Sequence, residues 1–106
     1  MQILSTTNLP GSTIFAIIRE KWGTKYFDAG AETPALVEEP TSPALILPED
    51  TVIKGLYWVV IETILPNGRY LVAIYKQSGE TPSPEDDGEP DVAEIEARDG
   101  YLYIVR

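Results

Sequence analysis

The stretch LPNGRYLVAIYKQ, residues 65–77, holds the strongest local signal in the chain. A turn of Pro66, Asn67 and Gly68 leads into a run with Tyr70, Val72 and Ile74 on one side and Leu71, Ala73 and Tyr75 on the other. Alternation with period two is the signature of a pleated strand, because successive side chains point to opposite faces of a sheet. A tyrosine two residues after a turn glycine, at the head of such a strand, is the pattern of a tyrosine corner. Its ring packs in the core and its hydroxyl bonds back to backbone a few residues upstream. Tyr70, with Leu65 and Gly68, suits that architectural role. A catalytic role for Tyr70 would need a pocket and a partner that the sequence does not supply.

The remaining segments follow the same grammar. QILST (2–6) is a strand ended by the Pro10-Gly11 turn, and TIFAIIRE (13–20) is apolar on both faces. A strand of the second kind is central, or is covered on its outer side by a partner. Trp22-Gly23 turns the chain into a short strand, KYFD (25–28), and residues 29–43 read as mostly loop, with three prolines. ALILP (44–48) and LYWVVIET (56–63) are further strands, the latter rich in β-branched and aromatic residues. VAEIEARDGYLYIV reads as a hairpin around Asp99-Gly100, with Ala93, Ile95 and Ala97 toward the core and Glu94 and Glu96 toward water. Seven or eight short strands at roughly ten-residue spacing predict an all-β sandwich or barrel. Residues 1–106 are read as one domain with an acidic loop at 78–91.

Composition narrows the function. The 106 residues contain no cysteine and no histidine. Disulfides, thiolate metal sites, Ser-His-Asp and Cys-His catalysis and His-ligated zinc are therefore excluded. The net charge of −9 is concentrated in residues 80–99, where nine acids meet only Arg98. Such a surface repels phosphate backbones, so nucleic acid is not an expected partner. The start of the chain lacks the basic and apolar regions of a secretory signal, and no apolar run is long enough to span a bilayer, so no membrane partner is expected.

Three groups of residues were weighed as sites. EDDGEPD (85–91) is acidic enough to attract a hard cation but lacks the EF-hand spacing, and a solvated loop is the better reading. Trp22, Tyr26 and Phe27 crowd one short hairpin. Core packing of at least two of them is expected, and the opposite faces of Tyr26 and Phe27 leave some aromatic area for an interface. Tyr101 and Tyr103 share a face of the last strand and suit a wet-edged protein contact. No catalytic, cofactor-binding or metal-ligating residue is assigned.

The order of segments resembles the small Ig-like or fibronectin-like β-sandwich proteins encoded among the structural genes of tailed bacteriophages. In that group a strand resembling IFAIIRE leads to an aromatic hairpin resembling KWGTKYFD. A turn-Gly-x-Tyr strand resembling LPNGRYLVAIYKQ, a Gly/Ser/Pro-rich loop and a closing segment resembling VAEIEARDGYLYIV follow. The likeness spans residues 13–105 and departs at Arg98, where the group often has an aromatic residue. The resemblance implies an all-β, Ig-like antiparallel β-sandwich of seven to eight short strands and a non-enzymatic virion accessory, such as a capsid decoration, head spike, tail or baseplate component, assembled in the host cytoplasm. Its partners would be other virion proteins or further copies of itself. A rival of another class is a carbohydrate-binding or adhesion module that uses Trp22 and nearby aromatics as a stacking platform. A carboxylate hydrolase is the third reading, and it would require a close pair of pocketed acids with a raised pKa.

Overall fold

Nine antiparallel strands form the protein in a computed structural model that describes residues 2–62, 65–77 and 91–105. They are β1 (Gln2–Thr7), β2 (Thr13–Glu20), β3 (Tyr26–Phe27), β4 (Leu36–Val37), β5 (Leu45–Ile46), β6 (Leu56–Ile61), β7 (Gly68–Gln77), β8 (Asp91–Arg98) and β9 (Tyr101–Ile104). β1 and β6 make a two-stranded sheet, and the other seven make a sheet ordered β4-β3-β2-β7-β8-β9, with β5 also paired to β2. The fold is thus an all-β sandwich with layers of unequal width. No helix among the described residues is long and apolar enough to cross a membrane.

The two apolar strands find each other at the centre. β2 pairs with β7 along its whole length, from Thr13 opposite Gln77 to Glu20 opposite Tyr70. Ile14, Ala16 and Ile18 of β2, with Tyr70 and Val72 of β7, face the small sheet, where Leu4, Tyr57 and Ile61 meet them. Phe27, Leu47, Leu65, Ile95 and Ala97 complete this buried cluster. Burial of each large side chain contributes about 1.5–3 kcal/mol, so this layer is the main source of stability.

Two buried tyrosines fasten the ends of the sandwich. The Tyr70 hydroxyl donates to the Pro66 carbonyl at 2.6 Å, the geometry of a tyrosine corner. Burial first, and then the Glu20 carboxylate, push the Tyr70 phenol above its usual pKa, so it stays a donor. Across the core, the Tyr57 hydroxyl donates to the Leu9 carbonyl at 2.7 Å and accepts from the Ser12 N–H at 3.0 Å. Asp99 (φ 53°) and Gly100 (φ 82°) both lie in the left-handed region, as a two-residue type I′ hairpin turn demands.

The strand pattern agrees with expectation, and two side-chain expectations need correction. The 29–43 segment is mostly loop, as the sequence indicates, and adds only the two-residue β4, which brings the strands among the described residues to nine. Ala93 is exposed rather than part of the core, although it sits opposite buried Val72. Ile104, opposite Ile95, is also exposed, which fits a facing sheet only two strands wide. Glu94 does not simply face water, since it holds two cations, as described below.

Tyr70→Phe removes one hydrogen bond and should cost about 1 kcal/mol, whereas Tyr57→Phe also strands the Ser12 N–H and should cost about 1–3 kcal/mol. Urea unfolding of the two variants checks both the magnitudes and their order.

Candidate functional site

The face of the large sheet turned away from the core is built by the residues that alternate with the core residues. Pairing register arranges them in rows. Ile46, Phe15 and Tyr75 form the first, and Ile17, Ala73 and Val92 the second. Tyr26, Arg19, Leu71 and Glu94 form the third, followed by Arg69, Glu96 and Tyr103. The face therefore grades from apolar at one end to ionic at the other.

At the apolar end Phe15 is fully buried and stacks on Tyr75, with ring centroids 4.9 Å apart and planes 6° from parallel. Beside this stack lies a groove of about 330 Å³ lined by Ile17, Leu71, Ala73, Tyr75 and Val92, together with Arg19 and Tyr26. Val92 is 61% exposed there, an unusual setting for a strand valine. Among the described residues Arg19 makes no ion pair.

At the ionic end Glu94 accepts from Lys21 Nζ at 2.5 Å and Arg69 Nη1 at 2.8 Å. Lys21 and then Arg69 hold its carboxyl below the usual carboxylate range. Arg69 also reaches Glu96 at 3.3 Å. Arg98 lies 4.6 Å above the Tyr103 ring.

Of the aromatic residues singled out in the sequence, Trp22 is 77% exposed, Tyr26 is half-buried and Phe27 is in the core. The expectation that at least two would pack in the core is corrected, since Phe27 alone joins the core cluster, and Phe27 is thereby removed as an interface residue. Phe27 alternates with Tyr26 and takes the core side. Trp22 lies in a bend outside the strands, where alternation assigns no side. Tyr101 and Tyr103 are both exposed on the outer face of β9. The acidic 85–91 stretch lies outside the described residues except for Asp91, which pairs with Lys76 at 3.0 Å. Among the described residues no three carboxylates cluster as a metal site would require.

Three carboxylates unremarked in the sequence organise the loops. Asp28, almost fully buried, accepts from Thr41 N, Ser42 N and Thr41 Oγ1. Glu49 accepts from Gly55 N at 2.8 Å and Gly11 N at 3.2 Å, tying two loops together. Gly55 is required here: its φ is 86°, and a Cβ would stand 2.8 Å from the Asn8 carbonyl oxygen. Asp50 accepts from Val52 N and Ile53 N with one oxygen and from the Trp58 indole with the other. Backbone N–H donors, Thr41 for Asp28, Gly55 for Glu49 and Ile53 for Asp50, lower all three pKa values. Only the Asp50 pattern, a carboxylate just before a turn, leaves a local signature.

Compared with family models, with curated proteins and with solved structures, the chain matches none.

The depressed carboxylates fix the sign of the pH dependence. A group with a lowered folded-state pKa contributes stability above its ordinary value and loses that contribution as pH falls through the folded value. The urea midpoint should therefore hold level from neutrality and fall below about pH 4, where ordinary carboxylates begin to protonate. Asp50→Asn should lower the midpoint at neutral pH and flatten the acid decline, with Trp58 fluorescence as the readout.

Proposed function

We propose that the chain is a non-enzymatic structural accessory of a virus particle that docks onto another particle protein through the outer face of its large sheet. The observation that carries this is the apolar end of that face. Ile17, Leu71, Ala73, Tyr75 and Val92 surround a groove while the two-stranded sheet covers the opposite side. An apolar sheet face with a polar, aromatic rim is the anatomy of a protein-binding surface. Arg69, Glu94, Glu96, Arg98 and Tyr103 supply the rim.

The resemblance of residues 13–105 to phage structural proteins supports the particle as the setting. The net charge of −9 favours another protein over a second copy, because like charges oppose self-association. A hydrolytic role finds no support in the titrating groups among the described residues, since the carboxylates shifted there are all lowered, whereas a general acid needs a raised pKa.

Quantitative mass spectrometry of particles purified from the source should find the chain. A high copy number would make it a shell decoration, and a low one a vertex, spike or tail component. Val92→Asp should fold normally and fail to join the particle. Absence of the chain from particles, or undiminished incorporation of the variant, refutes the proposal.

A further inference from the structure

We infer that the corner around Trp22 is a binding site for one neutral pyranose ring, separate from the apolar groove proposed for assembly. Trp22 is 77% exposed, yet its ring is not left to swing freely. The Lys21 ammonium lies 4.7 Å from the ring centroid, a cation–π contact. Lys21 is itself held by Glu94, and Glu94 by Arg69. Backbone adds to this, since Lys21 N–H donates to the Arg69 carbonyl at 3.0 Å. An exposed indole is thus propped by an ion-paired ammonium and anchored to the central ladder. Such propping lowers the ordering cost that a flexible surface aromatic would impose on binding.

A cavity of about 270 Å³ adjoins the indole, lined by Glu20, Asn67 and Arg69 as well as Trp22. Its volume is just under the usual lower limit for ligand pockets, about 300 Å³, and suits a single ring. The polar groups offer both signs of hydrogen bond. Asn67 uses its Oδ1 to accept from Asp99 N, leaving its amide NH₂ without a partner among the described residues. Glu20 uses Oε1 to accept from Lys25 N, leaving Oε2 as an acceptor. Gly23 keeps this arrangement open, because a Cβ there would collide with the Glu20 carboxylate.

A pyranose matches these features together. One face of the ring presents C–H groups that pack on an indole, while the hydroxyls around its edge both donate and accept. The charged groups that line and prop the corner, Glu20, Lys21, Arg69 and Glu94, sum to zero, so neither a cationic nor an anionic sugar is called for. A purely apolar ligand would leave the Glu20 and Asn67 groups desolvated and unpaired.

The test is an NMR titration of the full chain with maltotriose, cellotriose and triacetylchitotriose, each raised to about 10 mM, well above the millimolar affinity expected of a one-ring site. At least one sugar should shift the Trp22 indole N–H and the Gly68 and Arg69 amides saturably. Trp22→Ala should weaken that binding at least about tenfold with an unchanged melting temperature. Lys21→Met should weaken it less, by freeing the ring, while Trp58→Phe should leave it intact. Val92→Asp should also bind sugar normally, so failure of the assembly proposal would be seen separately. No saturable shift with any of the three sugars, or binding that survives Trp22→Ala, overturns the inference. Loss of particle association in Trp22→Ala without sugar binding would reassign the indole to a protein contact.

Discussion

The pairing of β2 with β7 is the constraint from which the rest follows. Both strands carry apolar side chains on both faces, and alternation sends every second one to each side. A single ladder therefore creates two apolar layers at once. One layer is buried by the narrow sheet of β1 and β6, which supplies Leu4, Tyr57 and Ile61. The other is only partly satisfied from within, by the stack of Phe15 on Tyr75. Ile17, Leu71 and Ala73 continue that layer into an open groove. Strands of this composition are the rule where both faces of a sheet are covered, as in parallel α/β sheets. In an antiparallel sandwich they imply a further layer, which is why the outer face is the natural place to look for a partner.

The loops are held by a different means. Asp28, Glu49 and Asp50 each gather two or more donors that would otherwise be unpaired turn N–H groups or side chains. Hydrogen bonds to an ionised acceptor are stronger than neutral ones, and they favour the ionised carboxylate. Each of these acids thereby holds a loop in place. Part of the large negative charge is consequently architecture, and it still counts in the long-range repulsion.

How much of this could be read from the sequence depends on the range of the interaction. β2, whose bounds match the expected 13–20, and β7 were legible because alternation is local. The Asp99-Gly100 turn was legible because two positive φ angles in succession demand that residue pair. The Tyr70 corner closes over four residues, and so its spacing was visible. The Glu49 bond to Gly11 spans 38 positions and the Lys21 bond to Glu94 spans 73, and neither leaves a pattern in the chain. The same holds for the uneven division of strands, since β1 pairs with β6 across the whole of β2 to β5. Ala93 was misplaced for that reason: its own strand aims it inward, but the width of the opposite sheet decides whether anything meets it. Trp22 and Phe27 show the complementary failure, because a bend and a two-residue strand give alternation nothing to act on.

The two surfaces proposed for binding lie on one sheet yet differ in physical character. Leu71, at the edge of the apolar groove, pairs directly with Glu94, and beyond that register the face turns ionic. Glu94 then acts in two directions. Toward the groove it begins the charged rim that excludes water from an apolar contact without itself being buried. Toward the corner it fixes Lys21, and through Lys21 the exposed Trp22 ring. Loss of the Glu94 carboxylate would therefore disturb the corner through the indole's orientation and the groove only through its border. A small sandwich can carry two unrelated contacts in this way because function resides in the surfaces that a fold positions, not in the fold itself. The ionic row keeps them separate: an apolar partner gains nothing by spreading across it, and a sugar gains nothing from the groove.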